Sequence, residues 1–280
     1  MTVQRVLRDT QALPEVTFYQ GTTPVDADGA VTVDILRGDG SIFATDAATV
    51  LQGAGTGTYR YTLAPQPDLE RFTFVWEGTF GGVVQAITSH VEVVGGYVVA
   101  LADLQAESGL ASKTPEELAE ARQWFEDRAE AYCGVAFVPR YAHELLDGDG
   151  TNELRLSNLF PQAVLSCSVG GTVQTGLGTW DLYEAGFVAR DTGSFGMGRR
   201  NVDIAYEYGR LTVPSDIREA AITAIRSNVL GGGTLGGGIP SGVTQLSTDA
   251  GVMTFGRPSR PFGILEVDAV LAGYQMIPVA

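Results

Sequence analysis

The chain has 280 residues, of which 44% are hydrophobic and 18% are charged, so it is long enough for two domains that each bury a core. Its 18 basic and 33 acidic residues give a net charge of −15, which excludes the basic surface that a nucleic-acid-binding protein needs. No apolar run approaches the roughly 18 residues of a membrane-spanning helix, and we expect no signal peptide because the first ten residues lack an apolar core.

The first predicted region lies between about residues 14 and 94, where apolar and polar positions alternate between turn signals. Short strands at this spacing, with no helix between them, favour an immunoglobulin-like β-sandwich over residues 1–96. The antibody pattern of Cys, Trp and Cys is missing, so only the architecture is predicted. The strand-like stretches are EVTFYQ, AVTVDILR, TYRYTL, RFTFVWEG and VVQAITSHVEVV.

Two helices are predicted in the second part of the chain. The first begins at Thr114, which can cap it together with Glu117, and Gly134 ends it. The second covers residues 214–230 and ends at a run of glycines. Their apolar stripes are Leu118, Ala121, Phe125, Ala129 and Tyr132 in the first, and Ile217, Ala220, Ala221, Ala224 and Ile225 in the second.

Strands are predicted between these helices, over residues 141–146, 153–157, 163–169, 187–190 and 202–208. The sequence DGDGTN between the first two resembles a calcium loop only faintly, because position twelve from Asp147 is Asn158 and the flanks are strand-like. We therefore interpret it as a hairpin turn. Cys133 and Cys167 are predicted to be buried free thiols, with a disulfide as the alternative.

Residues 231–262 are rich in Gly, Ser, Thr and Pro and show no periodicity. These residues could reach at most about 100 Å when fully extended. An apolar segment follows and predicts a short terminal helix, with Ile264, Leu265, Val267, Val270, Leu271 and Tyr274 as its apolar residues. An arm that binds a partner is the interpretation we favour; a linker to a helix that docks on its own chain is the alternative.

No catalytic, cofactor or metal site is predicted. His90 and His143 lie 53 residues apart without convergent Asp, Glu or Cys residues. A Gly-rich loop over residues 193–200 ends in Arg199 and Arg200, which could contact a phosphate or a carboxylate, but a solvated turn explains it as well. Neither a phosphate-loop sequence nor a GxSxG motif is present.

The order of these elements resembles the head-to-tail connector (adaptor) proteins of long-tailed, siphovirus-type bacteriophages, in particular those of actinobacterial phages. The resemblance covers about 180 residues of the C-terminal two thirds. Its features, in order, are the helix EELAEARQWFEDRAEAYCGVAF, then HELLDGDGTNELRLS, the strand PQAVLSCSV, VDIAYEYG with the helix opened by VPSDIREAAI, and the terminal RPFGILEVDAVLAGY.

The predicted fold class is α+β multidomain. The N-terminal sandwich, predicted from the strand pattern, departs from the minimal family pattern. The resemblance implies a connector domain over residues 97–232, in which two main helices pack with antiparallel strands, and an extended arm over residues 233–280 that ends in a short helix. It implies a structural virion protein, not an enzyme, without cofactors and made in the host cytoplasm. Identical subunits, commonly twelve, would form a ring at the neck between the portal protein and a stopper or tail protein. Genomic DNA would pass through the lumen without sequence-specific binding, and no membrane is involved. An acidic protein suits that role, since like charge suppresses phosphate contacts.

Within this family interpretation, the two helices pack on each other and the terminal arm contacts a neighbour or the portal. The expected partner interface combines polar clamps with apolar anchors: Arg257, Arg260, Phe262, Ile264, Leu265 and Val267. Two other classes stay open. One is a carbohydrate- or surface-binding protein that uses the aromatic residues of the sandwich, and the other is a hydrolase with an unrecognised site. The aromatic residues in question are Tyr59, Tyr61, Phe72, Phe74 and Trp76.

Overall fold

Within the described residues, strands in several sheets and four helices make up an α+β protein whose N-terminal region is rich in strands, as the sequence predicts. The computed structural model describes residues 3–231, 234–235, 239–240, 245–248, 251–254 and 261–276. Two compact units are present, and neither is continuous in sequence. The strand unit comprises Met1–Gly95, Pro139–Ser157 and Pro161–Tyr208, and the helical unit comprises Gly96–Val138, Asn158–Phe160 and Gly209–Ala280.

The N-terminal part of the strand unit is a sandwich of a five-stranded and a three-stranded sheet that share one core. The larger sheet has the order β1-β10-β9-β5-β6, and the smaller has the order β2-β8-β7. A short β3–β4 pair completes it. The strands are β1 Val3–Leu7, β2 Glu15–Thr17, β3 Tyr19–Gln20, β4 Thr23–Pro24, β5 Thr32–Leu36, β6 Ile42–Ala48, β7 Val50–Leu51, β8 Thr58–Arg60, β9 Glu70–Phe80 and β10 Val83–Val94.

Strands β9 and β10 form a long hairpin whose register follows from the alternation of apolar residues. Gly81 and Gly82 both have positive φ, of 57° and 78°, which is the backbone that a two-residue hairpin turn requires. Every second residue of β9 therefore points into the sandwich core, and the indole N–H of Trp76 donates to Ser89 Oγ at 2.9 Å. Strands β1 and β6 were not predicted. The first pairs in parallel with a strand more than 80 residues away, and the second pairs through two register shifts.

Two further sheets belong to the same unit. A four-stranded sheet has the order β11-β17-β13-β14, and a three-stranded sheet has the order β12-β16-β15. Alternate residues of β17, from Val202 to Tyr206, are buried between them. The strands are β11 Arg140–Asp149, β12 Glu153–Arg155, β13 Pro161–Val169, β14 Thr172–Val173, β15 Asp181–Tyr183, β16 Phe187–Ala189 and β17 Met197–Tyr208, with a 3-10 turn at Leu177–Thr179.

The predicted hairpin at DGDGTN is wrong. Strand β11 pairs with β17, whereas β12 pairs with β16 in the other sheet, so the segment joins two sheets. Its acidic residues explain the difference. Asp147 accepts a hydrogen bond from Arg200 N at 2.6 Å, which ties the end of β11 to β17. Asp149 accepts from both the N–H and the hydroxyl of Thr151, which turns the chain away.

The helical unit contains α1 Leu101–Ala106, α2 Pro115–Cys133, α3 Ser215–Leu230 and α4 Leu265–Ala272. The predicted cap of α2 is confirmed: Thr114 and Glu117 form the reciprocal capping box, and Gly134 takes the left-handed conformation at the other end. Both predicted apolar stripes lie in one core, which confirms that α2 and α3 pack together. No helix within the described residues is long and apolar enough to cross a bilayer.

Between α3 and α4 the structure places two short hairpins: β18 Thr234–Leu235 with β19 Ile239–Pro240, and β20 Gln245–Thr248 with β21 Gly251–Thr254. The three predicted sequence domains, 1–96, 97–232 and 233–280, stay a prediction. Contacts group the strands after Pro139 with the N-terminal sandwich, because Gly95 N donates to Pro139 O and Tyr141 packs against the sandwich core.

Candidate functional site

The C-terminal segment, defined here as residues 261–276, packs onto α2 and α3 of its own chain. Helix α4 contributes Val267 and Leu271 to the core that α2 and α3 share, and both side chains are buried. We call the surface that receives the segment the α2–α3 groove. This is the own-chain docking that the sequence offered as the alternative to a partner-binding arm.

Phe262 anchors the start of the segment. Its ring lies 5.2 Å from the ring of Trp124 in an edge-to-face arrangement and 5.1 Å from the ring of Phe125, a geometry that aromatic pairs favour. The backbone N–H of Phe262 donates to the buried carboxylate of Asp268 at 3.0 Å, which closes the turn that leads into α4. The segment therefore enters the groove in a defined conformation.

The end of the segment is fastened to the ends of both long helices. Tyr274 donates its phenolic O–H to Asp216, in the first turn of α3, and the Arg210 guanidinium lies 5.6 Å from the centre of the Tyr274 ring. At the last turn of α2, Cys133 O accepts from Met276 N at 2.9 Å. The Cys133 thiol lies 3.4 Å from Leu271 O, to which it donates. Four contacts thus hold residues 271–276, which are the end of α4 and the residues that follow it.

The four described residues of the predicted partner interface differ in exposure, and the interface stays a prediction. Phe262 and Val267 are buried in the helical unit, Ile264 is half-buried, and Leu265 is 62% exposed. A partner could reach the two buried residues only if the segment left the groove. Arg257 and Arg260 lie outside the described residues.

The outward face of α2 is acidic. Glu116, Glu120 and Asp127 are exposed at spacings of four and seven, on the side opposite the apolar stripe. Within the described residues, the exposed basic group on this helix is Arg128, whose guanidinium lies 5.3 Å from the centre of the Trp124 ring. Anionic groups would meet like charge along this face.

The sequence reasoning missed two buried charged residues of α2. The Arg122 guanidinium lies 3.3 Å from the centre of the Tyr97 ring and donates to Val99 O, and Glu126 accepts from Val98 N at 3.0 Å. These contacts fix the chain that precedes α1 against α2. A signal was available, because Arg122 and Glu126 are four residues apart and directly follow Ala121 and Phe125 of the apolar stripe.

The aromatic residues of the sandwich form its core. Phe72, Phe74 and Trp76 are completely buried, and Tyr59 is buried. Phe74 stacks on Trp76 with ring centres 5.9 Å apart. Tyr61 is half-buried, with its ring centre 5.9 Å from that of Phe74. The four buried rings therefore offer no exposed platform on which a sugar could stack.

The two histidines contact different partners and do not form a joint site. His143 Nε2 lies 2.7 Å from Asp203 Oδ1, and His90 Nδ1 lies 3.2 Å from Thr73 Oγ1. Burial and the charge of Arg71 lower the pKa of His90. Within the described residues, no group of three His, Cys, Asp or Glu side chains could hold a metal ion.

The Gly-rich loop before β17 is organised by an arginine that the sequence did not single out. Arg190 donates to Ser194 O and to Gln174 Oε1, both at 2.8 Å, and its guanidinium lies over the rings of Trp180 and Phe195. The predicted pair Arg199 and Arg200 lies at the start of β17 with exposed side chains. The contacts of Arg190, Arg199 and Arg200 do not define a binding site for a ligand.

A search against models of protein families and a search of curated proteins both find no match. Among solved structures, the chain is similar to a chain described as "Neck of empty GTA particle computed with C6 symmetry". The TM-score is 0.42 at 13% sequence identity, and the alignment covers 65% of this chain and 92% of that chain.

Proposed function

We propose that the chain is a structural virion protein: a head-to-tail adaptor that forms a ring at the neck of a bacteriophage, between the portal protein and a stopper or tail protein. The observation that carries the proposal is the order of its elements. Capped helix α2, the strands β11, β13 and β17 of one sheet, and helix α3 follow one another in the order on which the family resemblance rests.

The packing of the helical unit supports a structural role. Its core joins α2, α3 and α4 through apolar contacts, and its buried charged residues serve to hold backbone in place. A subunit that must keep its shape under assembly contacts needs a core of this kind, since close-packed interiors transmit strain and do not yield to it. In this proposal the protein performs no catalysis and needs no cofactor.

The charge distribution supports passage of DNA without binding. The net charge of −15 and the acidic outer face of α2 leave little basic surface for phosphates. At physiological ionic strength, charges repel appreciably over roughly 8 Å, so an acidic lumen wall keeps the duplex from adhering. We propose that genomic DNA slides through the ring without sequence-specific contacts.

The ring itself would form from identical subunits, in the number of twelve that is common in the family. Leu265 is the exposed apolar residue of the expected interface set, and we assign it to the contact with a neighbour or the portal. Arg257 and Arg260 are proposed as polar clamps in the same contact. The N-terminal sandwich, which shows no chemical site among its described residues, is proposed as a spacer on the outer side of the ring.

Native mass of the purified protein, alone and mixed with its portal protein, tests this function. We expect a ring-sized species in one of the two samples. Leu265→Glu should reduce assembly, whereas Ile42→Glu, a matched change at an exposed apolar position of the sandwich, should leave it intact. A monomer that ignores the portal under all conditions would overturn the proposal.

A further inference from the structure

We infer that Met197, Arg199 and Arg200 of the strand unit contact the acidic outer face of α2 on the next copy of this chain in the ring. We call these three residues the arginine corner. The inference deepens the proposed function, because it rests on the ring and names the surfaces that join two neighbouring subunits.

The arginine corner lies on an irregularity of strand β17. The register of β11 against β17 shifts between Leu146 and Gly148, and residues 199–201 of β17 lie opposite Asp147 alone. Arg200 has a φ of 48°, a left-handed conformation that non-glycine residues seldom adopt. A bulge breaks the alternation of a strand and re-aims its side chains, and bulges are common beside functional sites. Two adjacent arginines are therefore carried on backbone that departs from regular strand geometry.

Hydrogen bonds hold this bulge in one conformation. The N–H of Arg200 donates to Asp147 Oδ1 at 2.6 Å. The side chain of Asn201 accepts from Gly148 N at 2.8 Å and donates to Gly196 O at 3.1 Å. Left-handed backbone at a non-glycine residue is strained and persists only where its surroundings fix it. The arginine corner is thus ordered before it meets a partner, which lowers the entropy lost on binding.

The two guanidinium groups of the arginine corner have no ion pair within the described residues, and both side chains are exposed. By contrast, Arg37 lies 3.3 Å from Glu70 and Arg218 lies 2.8 Å from Asp103. Met197, beside the two arginines, is 85% exposed. Arginine and methionine are both enriched in protein–protein interfaces. The corner therefore has the composition of a binding surface.

Two carboxylates also lie at the arginine corner, and both are already occupied. Asp147 accepts from the backbone N–H of Arg200. Asp149 accepts from the N–H and the hydroxyl of Thr151. Within the described part of the chain, neither carboxylate forms an ion pair with a guanidinium of the corner. The charges of the two arginines are therefore left for a partner.

An acidic protein surface is the partner that the arginine corner fits. Two arginines are too few for a nucleic-acid footprint, which needs a basic stripe or patch, and the chain has a net charge of −15. Acidic copies repel one another, so a contact between them is favoured where a basic group of one meets an acidic group of the next. Rings are built from heterologous contacts, in which one surface of a subunit meets a different surface of its neighbour.

The acidic outer face of α2 supplies the complementary surface. Glu116 and Glu120 are exposed, and their carboxylates have neither an ion pair nor a hydrogen bond within the described residues. Residues four apart on a helix lie about 6 Å from one another, so two adjacent arginines can each meet one carboxylate. An arginine and a carboxylate form two parallel hydrogen bonds, which fixes the geometry of the pair. The two surfaces are thus complementary in charge and in spacing.

Charge reversal on each surface, and on both together, tests this contact. Arg199→Glu with Arg200→Glu should raise the protein concentration needed for half-maximal ring assembly about tenfold, and Glu116→Arg with Glu120→Arg should do the same. The chain that carries all four substitutions should assemble within about threefold of the native chain, because its pairs are restored with opposite sign. Native mass over a dilution series, with the portal protein where the ring requires it, measures each effect.

The matched control is Arg71→Glu with Arg226→Glu, at two exposed arginines that likewise have no ion pair within the described residues. It changes the net charge by the same amount as reversal of the arginine corner and should leave assembly unchanged. An equal loss of assembly in the control would attribute the effect to net charge and overturn the inference.

Urea unfolding of each free chain shows whether a variant folds, since Glu116→Arg places a positive charge near the N-terminus of α2. Arg199→Gln with Arg200→Gln removes the two charges without adding others, so it covers the case in which the reversal disturbs the bulge. It should weaken assembly in the same direction, and the double change Glu116→Gln with Glu120→Gln is its counterpart on α2.

Two results would overturn the inference while the proposed function stands. In the first, folded variants with a reversed arginine corner assemble like the native chain. In the second, assembly is lost and the chain with all four substitutions does not recover it, so the arginines contact another surface. Binding of duplex DNA by the native chain, and its loss in the variant, would identify that surface as DNA. If the unmodified protein forms no ring with its portal, the proposed function itself fails, and native mass shows this before any substitution is made.

Discussion

The phenolic O–H of Tyr274 donates to the carboxylate of Asp216, with its oxygen 2.8 Å from Oδ1 and 3.0 Å from Oδ2, although 58 residues separate them. Asp216 Oδ1 also accepts from Ile217 N in the first turn of α3, where the helix dipole favours a negative charge. Partial burial and the bond to Asp216 raise the pKa of Tyr274, so it stays a donor at neutral pH. One carboxylate thus stabilises the start of α3 and the docked end of the chain.

We predict that Tyr274→Phe loosens the C-terminal segment. A hydrogen bond to a charged group contributes about 1.5 to 3 kcal/mol, and the partial exposure of this pair lowers the expected loss to about 1 kcal/mol. Hydrogen exchange of residues 262–276 should quicken accordingly. Tyr183→Phe removes a hydroxyl from an exposed strand position and is the matched control. Unchanged exchange in Tyr274→Phe would contradict the role given to this bond.

Substitutions at Phe262 and Leu265 should affect different properties, the first the stability of the chain and the second its assembly. Phe262→Ala removes a buried ring and is expected to lower the free energy of unfolding by about 3 kcal/mol, at the low end of such truncations. Leu265→Ala changes an exposed side chain, so the free energy of unfolding should move by less than about 0.5 kcal/mol. Under the proposed function, the Leu265 variant weakens ring or portal assembly instead. Urea unfolding of the free chain and native mass with the portal measure the two effects. A large loss of stability in Leu265→Ala would show that it belongs to the core.

The cap of α2 predicts a pH-dependent stability. A hydrogen bond from the Thr114 backbone lowers the pKa of Glu117, with the charge of Lys113 adding to it. The unfolded chain therefore binds this proton more tightly, so the contribution of Glu117 is present above its ordinary pKa of 4.5 and is lost as pH falls through the lower folded value.

Glu117→Gln should accordingly destabilise the protein at pH 7, and the difference from the native chain should shrink as the solution is made acidic. Glu116→Gln is the control, since Glu116 lies in the same turn without a place in the capping box. Thr114→Ala should cost about 1 kcal/mol at pH 7, and Ser112→Ala should cost almost nothing. A difference between Glu117→Gln and the native chain that persisted at low pH would contradict this account.

The sequence predicts those parts of the fold whose signals are local. Thr114, Glu117 and Gly134 fix the bounds of α2 within twenty residues, and the stripes of α2 and α3 indicate which faces meet. Pairing between distant strands is less predictable. The turn at Asp147 looks like a hairpin because its flanks are strand-like, yet β11 pairs with β17, some 60 residues later in the chain. Register shifts in β11 and β13 around β17 add irregularity that alternation cannot reveal.

In the candidate site, the sequence likewise could not tell which side chains are buried in the core and which are exposed. An apolar residue near the end of a chain satisfies a core as well as a partner surface, so the pattern of Phe262, Leu265 and Val267 could not separate the two. Packing decides it: Phe262 fits between two aromatic rings of α2, while Leu265 points to solvent. Arg122 and Glu126 were overlooked for the opposite reason, because charged residues are rarely expected in a buried position.

Thiol reactivity should report the docking of the C-terminal segment directly. Burial raises the pKa of Cys133 to about 12 and that of Cys167 to about 11, so both thiols should resist a disulfide reagent at pH 8 in the folded protein. Cys133 lies under Leu271 and becomes accessible when the segment leaves the groove, whereas Cys167 belongs to the strand unit and should not respond.

In Tyr274→Phe, we therefore expect the modification of Cys133 to quicken about fivefold, which corresponds to the expected loss of about 1 kcal/mol, with the rate at Cys167 unchanged. Mass spectrometry of cysteine-containing peptides after timed labelling gives both rates in one sample, so each protein molecule carries its own control. If both thiols quickened together, the substitution would have destabilised the whole chain. If neither labelling rate changed, opening of the segment would not depend on the Tyr274 hydrogen bond. Phe262 and Leu271 would then be its main anchors.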